Sequence, residues 1–143
     1  VITTAQQSPH ALPGKAAVIG FSLGGGVALN FATKMPDLLS AVVLLYPFTS
    51  HINKPGTYVT KFEVPTLLLA GGRDTYENCC TIEKARELND AAKAFDGNAK
   101  LQVVEYPSAD HGFAIASRKT YIKSDADDAL NKTIEYINKY MGK

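Results

Sequence analysis

A serine inside a glycine-rich turn restricts this chain to few folds. Residues 20–26 read GFSLGGG, and they directly follow the apolar run Ala16 to Gly20, whose length and composition predict a strand. Residues 24–34 then carry apolar side chains, Val27 among them, at the spacing of one helical face, which predicts a helix. A strand, a tight glycine turn and a helix in this order form the context that the motif GxSxG requires.

The glycines of this motif have a steric role. The serine in such a turn has strained backbone dihedral angles, and we expect side chains at Gly20 and Gly24 to collide with neighbouring chain. Because the turn raises the Ser22 hydroxyl above the sheet edge, Ser22 is the candidate nucleophile. The backbone N–H of Leu23 lies at the positive end of the predicted helix and is the candidate donor to an oxyanion.

Apolar runs and amphipathic segments alternate along the rest of the chain. Runs of strand length recur at Ala41 to Tyr46, Thr66 to Ala70 and Leu101 to Tyr106, and a helix is predicted over Thr81 to Phe95. The segment 47–64 has no helical period and predicts an irregular loop or a short helix. These elements predict an α/β fold, with a parallel sheet of about four strands flanked by helices, in a single domain over residues 1–143.

A terminal helix is predicted from Ser124 onward. Its apolar residues recur every three or four positions, so one side of this helix should face the sheet. The residues predicted to face inward are Ala126, Leu130, Ile134, Ile137 and Met141.

A serine hydroxyl alone is a poor nucleophile, so this chemistry requires a base and an orienting carboxylate. Asp74 follows the third predicted strand, and His111 follows the fourth. Both loops leave the carboxyl ends of parallel strands, where open α/β folds build their sites, so the two side chains should converge on Ser22. Other roles stay open, because Asp74 is also typical of a turn and Asp110 could cap a structural His111.

Several ring-bearing side chains close to these strand ends are candidates for an apolar substrate pocket. Packing in the core is the alternative role for each of them. They are Phe21, Tyr46, Phe48, His51, Tyr76 and Phe113.

With these residues identified, the chain resembles the dienelactone hydrolase-like branch of the α/β-hydrolases. The matching pieces are residues 20–26, the strand Pro65 to Gly72 with Asp74, and residues 110–113. The resemblance implies the roles of nucleophile, acid and base for the three candidates in chain order. It also implies a carboxylic ester or a lactone as the substrate.

The chain resembles only the C-terminal half of that family's fold, so the domain is predicted to be truncated. The family's early strands, and the loop that supplies a second oxyanion donor, have no counterpart here. The namesake enzymes resemble GxCxG at the turn, whereas Ser22 favours serine esterase chemistry. Two alternatives stay open. One is a hydrolase-derived assembly module with little or no activity, and the other is a peptidase, because prolyl-oligopeptidase catalytic domains are similar in fold and residue order.

A first strand without a neighbour on one side would leave an apolar sheet edge unpaired, which is a liability for a soluble domain. We expect the edge at Ala16 to Gly20 to be covered, either by a second copy of the chain in a homodimer or by the missing half of the fold. Neither the residues nor the resemblance implies a metal or an organic cofactor.

Composition excludes several classes of partner. The 143 residues carry 15 Lys and Arg against 14 Asp and Glu, and a net charge of +1 is too weak to gather nucleic acid or anionic lipid. The longest apolar runs fall far short of the roughly 20 residues that a membrane span needs. Cys79 and Cys80 are adjacent, and adjacent cysteines rarely bond to each other, so a reducing, cytoplasmic location is predicted.

Overall fold

Four strands pair in their order along the chain to form one parallel sheet. A computed structural model describes residues 2–95 and 99–142. The strands are β1 Ala16–Phe21, β2 Leu39–Leu45, β3 Thr66–Gly71 and β4 Leu101–Tyr106. The helices are α1 Ile2–Gln6, α2 Ser22–Ala32, α3 Pro55–Val59, α4 Ile82–Ala94 and α5 Lys123–Met141. The predicted α/β fold with a four-stranded parallel sheet is confirmed.

Helices cover both faces of the sheet, which explains why β2 and β3 are apolar without alternation. Every residue of β3 is buried, and so is every residue of β2 except Ser40. On one face α2 and α4 pack against the sheet and α3 packs on α4, and Leu29 and Leu88 there have no exposed surface. On the other face α5 packs against the sheet through Ala129.

The carboxyl ends of the strands meet at one edge of the sheet. The pairing sets Phe21 beside Leu45, Leu45 beside Leu69, and Gly71 beside Tyr106. The loops that follow β1, β3 and β4 therefore leave the sheet at the same edge, which is where open α/β folds build their sites.

Helix α5 differs from its predicted orientation. Its buried residues are Ala126, Ala129 and Thr133, whereas Leu130 and Ile134 are 58% and 48% exposed. Small side chains bring the helix close to the sheet, and the Thr133 hydroxyl is satisfied because it donates to the Ala129 carbonyl at 2.7 Å. The prediction that Leu130 and Ile134 face inward is wrong, because periodicity marks an apolar stripe but not the part of it that contacts the sheet.

Strand β1 forms an edge of the sheet, and its outer side is unpaired among the described residues. Ile19 and Phe21 on this strand are each 45% exposed. Together with Leu130 of α5 they line an apolar groove of about 240 Å³. The outer edge of β1 is thus apolar, as the sequence predicts, and the expectation that this edge is covered stays a prediction.

Candidate active site

Ser22 stands at the junction of β1 and α2, on a sharp turn. Its φ of 49° lies in the left-handed region, which residues with a side chain rarely adopt. The Phe48 backbone N–H donates to the Ser22 carbonyl at 2.9 Å and ties this turn to the segment after β2. Backbone strain of this kind persists where the surrounding contacts fix it, and it is often found at functional sites.

Close packing around this turn explains why Gly20 and Gly25 lack side chains. A Cβ on Gly20 would lie 2.6 Å from the Gly24 carbonyl oxygen, and a Cβ on Gly25 would lie 2.8 Å from Pro47 Cβ. By contrast, a Cβ on Gly24 would meet nothing within 4 Å. The prediction of a collision at Gly24 is wrong, because this position faces open space while its neighbour faces the segment after β2.

One chain of hydrogen bonds joins the three predicted site residues. Ser22 Oγ lies 3.0 Å from His111 Nε2, and His111 Nδ1 lies 2.8 Å from Asp74 Oδ2. Because a carboxylate only accepts, Nδ1 carries the proton and donates to Asp74, and Nε2 is left to accept from the Ser22 hydroxyl. The side chains of His111 and Asp74 are 4% and 1% exposed, so their contact is shielded from water.

The loop after β3 fixes the carboxylate of Asp74. The second carboxylate oxygen, Oδ1, accepts the Tyr76 backbone N–H at 3.0 Å. The backbone carbonyl of Asp74 accepts the Ile82 N–H at 3.0 Å. A Cβ on Gly71 would lie 2.8 Å from the Ala109 carbonyl oxygen, so glycine there lets the loops after β3 and β4 approach closely. This approach sets Asp74 beside the histidine loop.

The loop after β4 fixes His111. Thr120 Oγ1 donates to the His111 carbonyl at 2.8 Å, and the His111 N–H donates to Asp110 Oδ1 at 2.6 Å. Asp110 thus caps the backbone of this loop while the ring of His111 bonds elsewhere. Gly112 has a φ of +80°, and a Cβ there would lie 2.5 Å from Arg118 Cδ. The sequence gives no signal for Thr120 or Arg118, because both lie well beyond the motif.

Two tyrosine rings contact the imidazole of His111. Tyr76 stacks on it, with ring centroids 4.5 Å apart and ring planes 10° apart. Tyr46 meets it edge-on, with centroids 5.0 Å apart. Burial raises the pKa of the Tyr46 phenol to about 12. The sequence predicts both tyrosines near the strand ends, but it contains no signal for their stacking on His111.

Two members of the predicted substrate pocket belong instead to the core. Phe113 has no exposed surface, and its ring lies 5.6 Å from that of Tyr46 and 4.9 Å from that of Tyr106, measured between centroids. Tyr46 is 1% exposed. The predicted substrate contacts of Phe113 and Tyr46 are therefore corrected, because a ring enclosed by the protein presents no surface to a ligand. Tyr46 reaches the site through its edge-on contact with His111.

Phe48 and His51 lie side by side close to Ser22, with stacked rings whose centroids are 5.6 Å apart. They line a groove of about 220 Å³ together with Leu23 and Val27. Val27 belongs to the predicted apolar face of α2 and is 51% exposed, because this side of the helix faces the groove. Phe21 lies in the separate groove between β1 and α5. Substrate contacts of Phe21, Phe48 and His51 stay predictions.

The loop after β3 also carries a bond between adjacent cysteines. The sulfur atoms of Cys79 and Cys80 form a disulfide, so the expectation that these neighbours stay unbonded is wrong. The turn is fixed because the Cys79 carbonyl accepts the backbone N–H groups of Thr49 and Ser50 at 2.9 and 3.1 Å. Disulfides persist in oxidising compartments. The cysteines therefore no longer support a cytoplasmic location, which stays a prediction.

Within residues 2–95 and 99–142, no group of three or more His, Cys, Asp or Glu side chains is arranged to hold a metal ion. No helix in these ranges is long and apolar enough to cross a membrane.

Solved structures with the same arrangement of elements identify the class of fold. MGS-M1, an α/β hydrolase enzyme from a Medee basin deep-sea metagenome library, aligns over 99% of this chain and 62% of its own, with a TM-score of 0.72 and 19% identity. Dienelactone hydrolase from Anabaena variabilis aligns over 97% of this chain and 56% of its own, with a TM-score of 0.68 and 20% identity. The chain therefore has an α/β-hydrolase fold.

Sequence comparison narrows this class to one family. The profile of the dienelactone hydrolase family matches residues 1–141, and the chain belongs to that family. A protein of Escherichia coli (strain K12) named "Putative carboxymethylenebutenolidase" is 30% identical over 131 residues, which are 88% of this chain and 46% of that protein. The chain thus spans about half the length of the curated relatives it matches. The predicted family resemblance is confirmed.

Proposed function

We propose that this protein is a serine hydrolase that cleaves carboxylic esters or lactones. The observation that carries the proposal is the continuous hydrogen-bond chain from Ser22 through His111 to Asp74, on a strained turn in the fold of a hydrolase family. The relative from Escherichia coli bears the name of a lactone-cleaving enzyme, which favours the same substrate class.

The first half of the reaction forms an acyl-enzyme. Ser22 Oγ attacks the carbonyl carbon while His111 Nε2 takes the hydroxyl proton, and the carbonyl oxygen becomes an oxyanion. The Leu23 backbone N–H, in the first turn of α2, donates to this oxyanion. When the tetrahedral intermediate collapses, the bond to the leaving oxygen breaks, and His111 gives its proton to that oxygen.

The second half releases the acid. His111 Nε2 takes a proton from water, whose oxygen attacks the acyl carbon, and the bond from that carbon to Ser22 Oγ breaks with return of the proton to Oγ. Asp74 keeps the proton of the neutral ring on Nδ1 and stabilises the imidazolium that forms in both halves. For a lactone the leaving oxygen stays attached to the acyl group, so one ring-opened product is released.

A single oxyanion donor predicts a weak catalyst. Loss of one such donor costs about 2.7–4 kcal/mol of transition-state stabilisation, or roughly 10²–10³ in kcat. We propose Leu23 as one donor, and with that donor alone we expect slow turnover of activated esters.

A fluorophosphonate probe tests the proposal, because it reacts only with an activated serine. We expect the protein to be labelled and Ser22→Ala to abolish the labelling. Ser124→Ala is the matched control, since Ser124 is an exposed serine of α5, and this variant should label like the parent. A folded parent protein that stays unlabelled contradicts the proposed mechanism and favours a module that acts by assembly.

Substrate class is tested by comparing leaving groups. We expect p-nitrophenyl acetate and an enol lactone to be hydrolysed, and Ser22→Ala to abolish both activities. Turnover of a peptide anilide at a comparable kcat/KM would instead support a peptidase.

We also propose that two copies of the chain pair through the outer side of β1. Support comes from the unpaired edge, the exposed Ile19 and Phe21, and the apolar groove that they share with Leu130. Light scattering after size-exclusion chromatography should give twice the chain mass of 15.4 kDa. Ile19→Lys should give a monomer and Tyr140→Lys, on the distant end of α5, should not. A monomeric parent protein refutes this pairing.

A further inference from the structure

Tyr76 contacts both the acid and the base of the site. Its backbone N–H donates to Asp74 Oδ1 at 3.0 Å. Its ring stacks on the imidazole of His111, with ring centroids 4.5 Å apart and ring planes 10° apart. Asp74 Oδ2 accepts from the same imidazole at 2.8 Å. Tyr76, Asp74 and His111 therefore each contact the other two.

A strained turn holds Tyr76 against His111. The Tyr76 carbonyl accepts the Cys79 N–H at 2.9 Å, and Glu77 and Asn78 between them have φ values of 47° and 54°. Residues with side chains pay of order 1–3 kcal/mol each for such angles, so the surrounding structure must fix the turn. Hydrogen bonds from Thr49 and Ser50 to the Cys79 carbonyl supply that anchor.

The need for such a contact arises once Ser22 is acylated. In the resting site the ring of His111 is held at both nitrogens, by Ser22 Oγ and Asp74 Oδ2. When Oγ carries an acyl group, it no longer has a proton to donate to Nε2, and one of the two restraints is lost. A flat ring stacked on the imidazole limits rotation about Cβ–Cγ at that stage and attracts the imidazolium through its π face.

We propose that Tyr76 is a positioning residue that keeps the imidazole of His111 aligned and stabilises its charged form, above all in the acyl-enzyme. This inference rests on the proposed function, because it assigns Tyr76 a task within that reaction. Tyr76 is 43% exposed, so the competing role is direct contact between its outer face and the substrate.

Three variants separate these roles. Tyr76→Leu removes the π face, Tyr76→Phe keeps the face and the backbone N–H, and Tyr140→Leu removes a tyrosine of similar exposure from the far end of α5. We expect Tyr76→Leu to lower kcat for p-nitrophenyl acetate about 2- to 30-fold, the range that corresponds to a cation–π contact of about 0.5–2 kcal/mol. KM should fall in parallel, because slower deacylation lets the acyl-enzyme accumulate. Tyr76→Phe and Tyr140→Leu should retain the parent kcat.

Stopped-flow measurement of the burst locates the effect. We expect deacylation to slow more than acylation in Tyr76→Leu, because the Ser22 restraint is absent only after acylation. An unchanged kcat in folded Tyr76→Leu, or a raised KM at constant kcat, overturns the inference, and the second result assigns Tyr76 to substrate contact. If Tyr76→Leu fails to fold, the kcat of Tyr76→Phe is the test. A fall in kcat in that variant also overturns the inference, because the π face is retained there. Failure of the proposed function itself looks different, because the parent would then show no burst and no dependence on Ser22.

Discussion

Replacement of Gly20 by alanine tests the steric account of the turn that carries Ser22. The added methyl would lie 2.6 Å from the Gly24 carbonyl oxygen and 2.8 Å from both Gly25 Cα and Ala28 Cβ. All of these distances fall well below the separation of about 3.5 Å at which carbon atoms attract each other. Overpacking of this kind typically costs about 1–3 kcal/mol. Two of the three contacts are backbone atoms that cannot rotate away, so we expect a loss near 3 kcal/mol, at the upper end of that range.

The matched control is Gly24→Ala, four residues along the same turn. A Cβ there meets nothing within 4 Å, and the residue lies inside α2. Alanine in a helix interior is more stable than glycine by roughly 0.5–1 kcal/mol, so this variant should be neutral or stabilised. Urea unfolding followed by circular dichroism gives both free energies of unfolding. Equal destabilisation of Gly24→Ala and Gly20→Ala, or a neutral Gly20→Ala, would contradict the steric role of Gly20.

Three further outcomes follow from the same contacts. Asp74→Asn should fold normally yet lower kcat about 10⁴-fold, because the amide can hold the wrong tautomer of His111; a loss below tenfold in ester assays would contradict the role of Asp74. Leu88→Ala should cost about 2–5 kcal/mol and Ile134→Ala, at a 48% exposed position of α5, under about 1 kcal/mol in urea unfolding, and equal costs would contradict the orientation of α5. Burial raises the pKa of the Tyr46 phenol from 10.0 to about 12, so the folded state favours the neutral phenol. The contribution of this preference to the free energy of unfolding is complete below pH 10.0 and is lost as pH rises toward 12. Unfolding measured across that window should therefore show a steeper fall for the parent than for Tyr46→Phe, and parallel curves would contradict the burial of this phenol.

The strands and the placement of the site loops were predictable because each depends on a strong local signal. Four apolar runs specify the strands, and the spacing between them leaves room for helices, which forces a parallel sheet. Parallel strands direct all their carboxyl ends to one edge. The convergence of Ser22, Asp74 and His111 then follows from chain order, and the three side chains do lie within hydrogen-bonding distance.

Details that depend on packing between distant segments could not be predicted. Gly24 looks as constrained as Gly20 in the sequence. A Cβ on Gly20 would collide with backbone atoms, whereas a Cβ on Gly24 would meet nothing within 4 Å. In α5, Leu130 continues the apolar stripe of Ala126, yet it lies beside the open edge of β1. Periodicity contains no information on where a neighbouring element ends, so it cannot distinguish a covered position from an exposed one.

The stacking of Tyr76 on His111 also depends on packing between distant segments. No spacing rule predicts that a tyrosine two residues after an aspartate will contact a histidine on another loop. The position of Tyr76 depends on the left-handed angles of Glu77 and Asn78, of which that of Glu77 is unusual for its residue type. Phe113 directly follows the histidine motif, yet it turns into the core because β4 and α5 enclose it. Such choices become visible only in three dimensions.

Capture of the acyl-enzyme shows directly whether Ser22, His111 and Asp74 act together on a carbonyl carbon. The protein is mixed with p-nitrophenyl acetate, quenched with acid within the burst, digested and analysed by mass spectrometry. We expect one acetyl group on the peptide that contains Ser22, with none in Ser22→Ala and far less in His111→Ala. Absence of acetylation in the folded protein, or acetylation at another residue that Ser22→Ala leaves unchanged, would contradict the proposed mechanism.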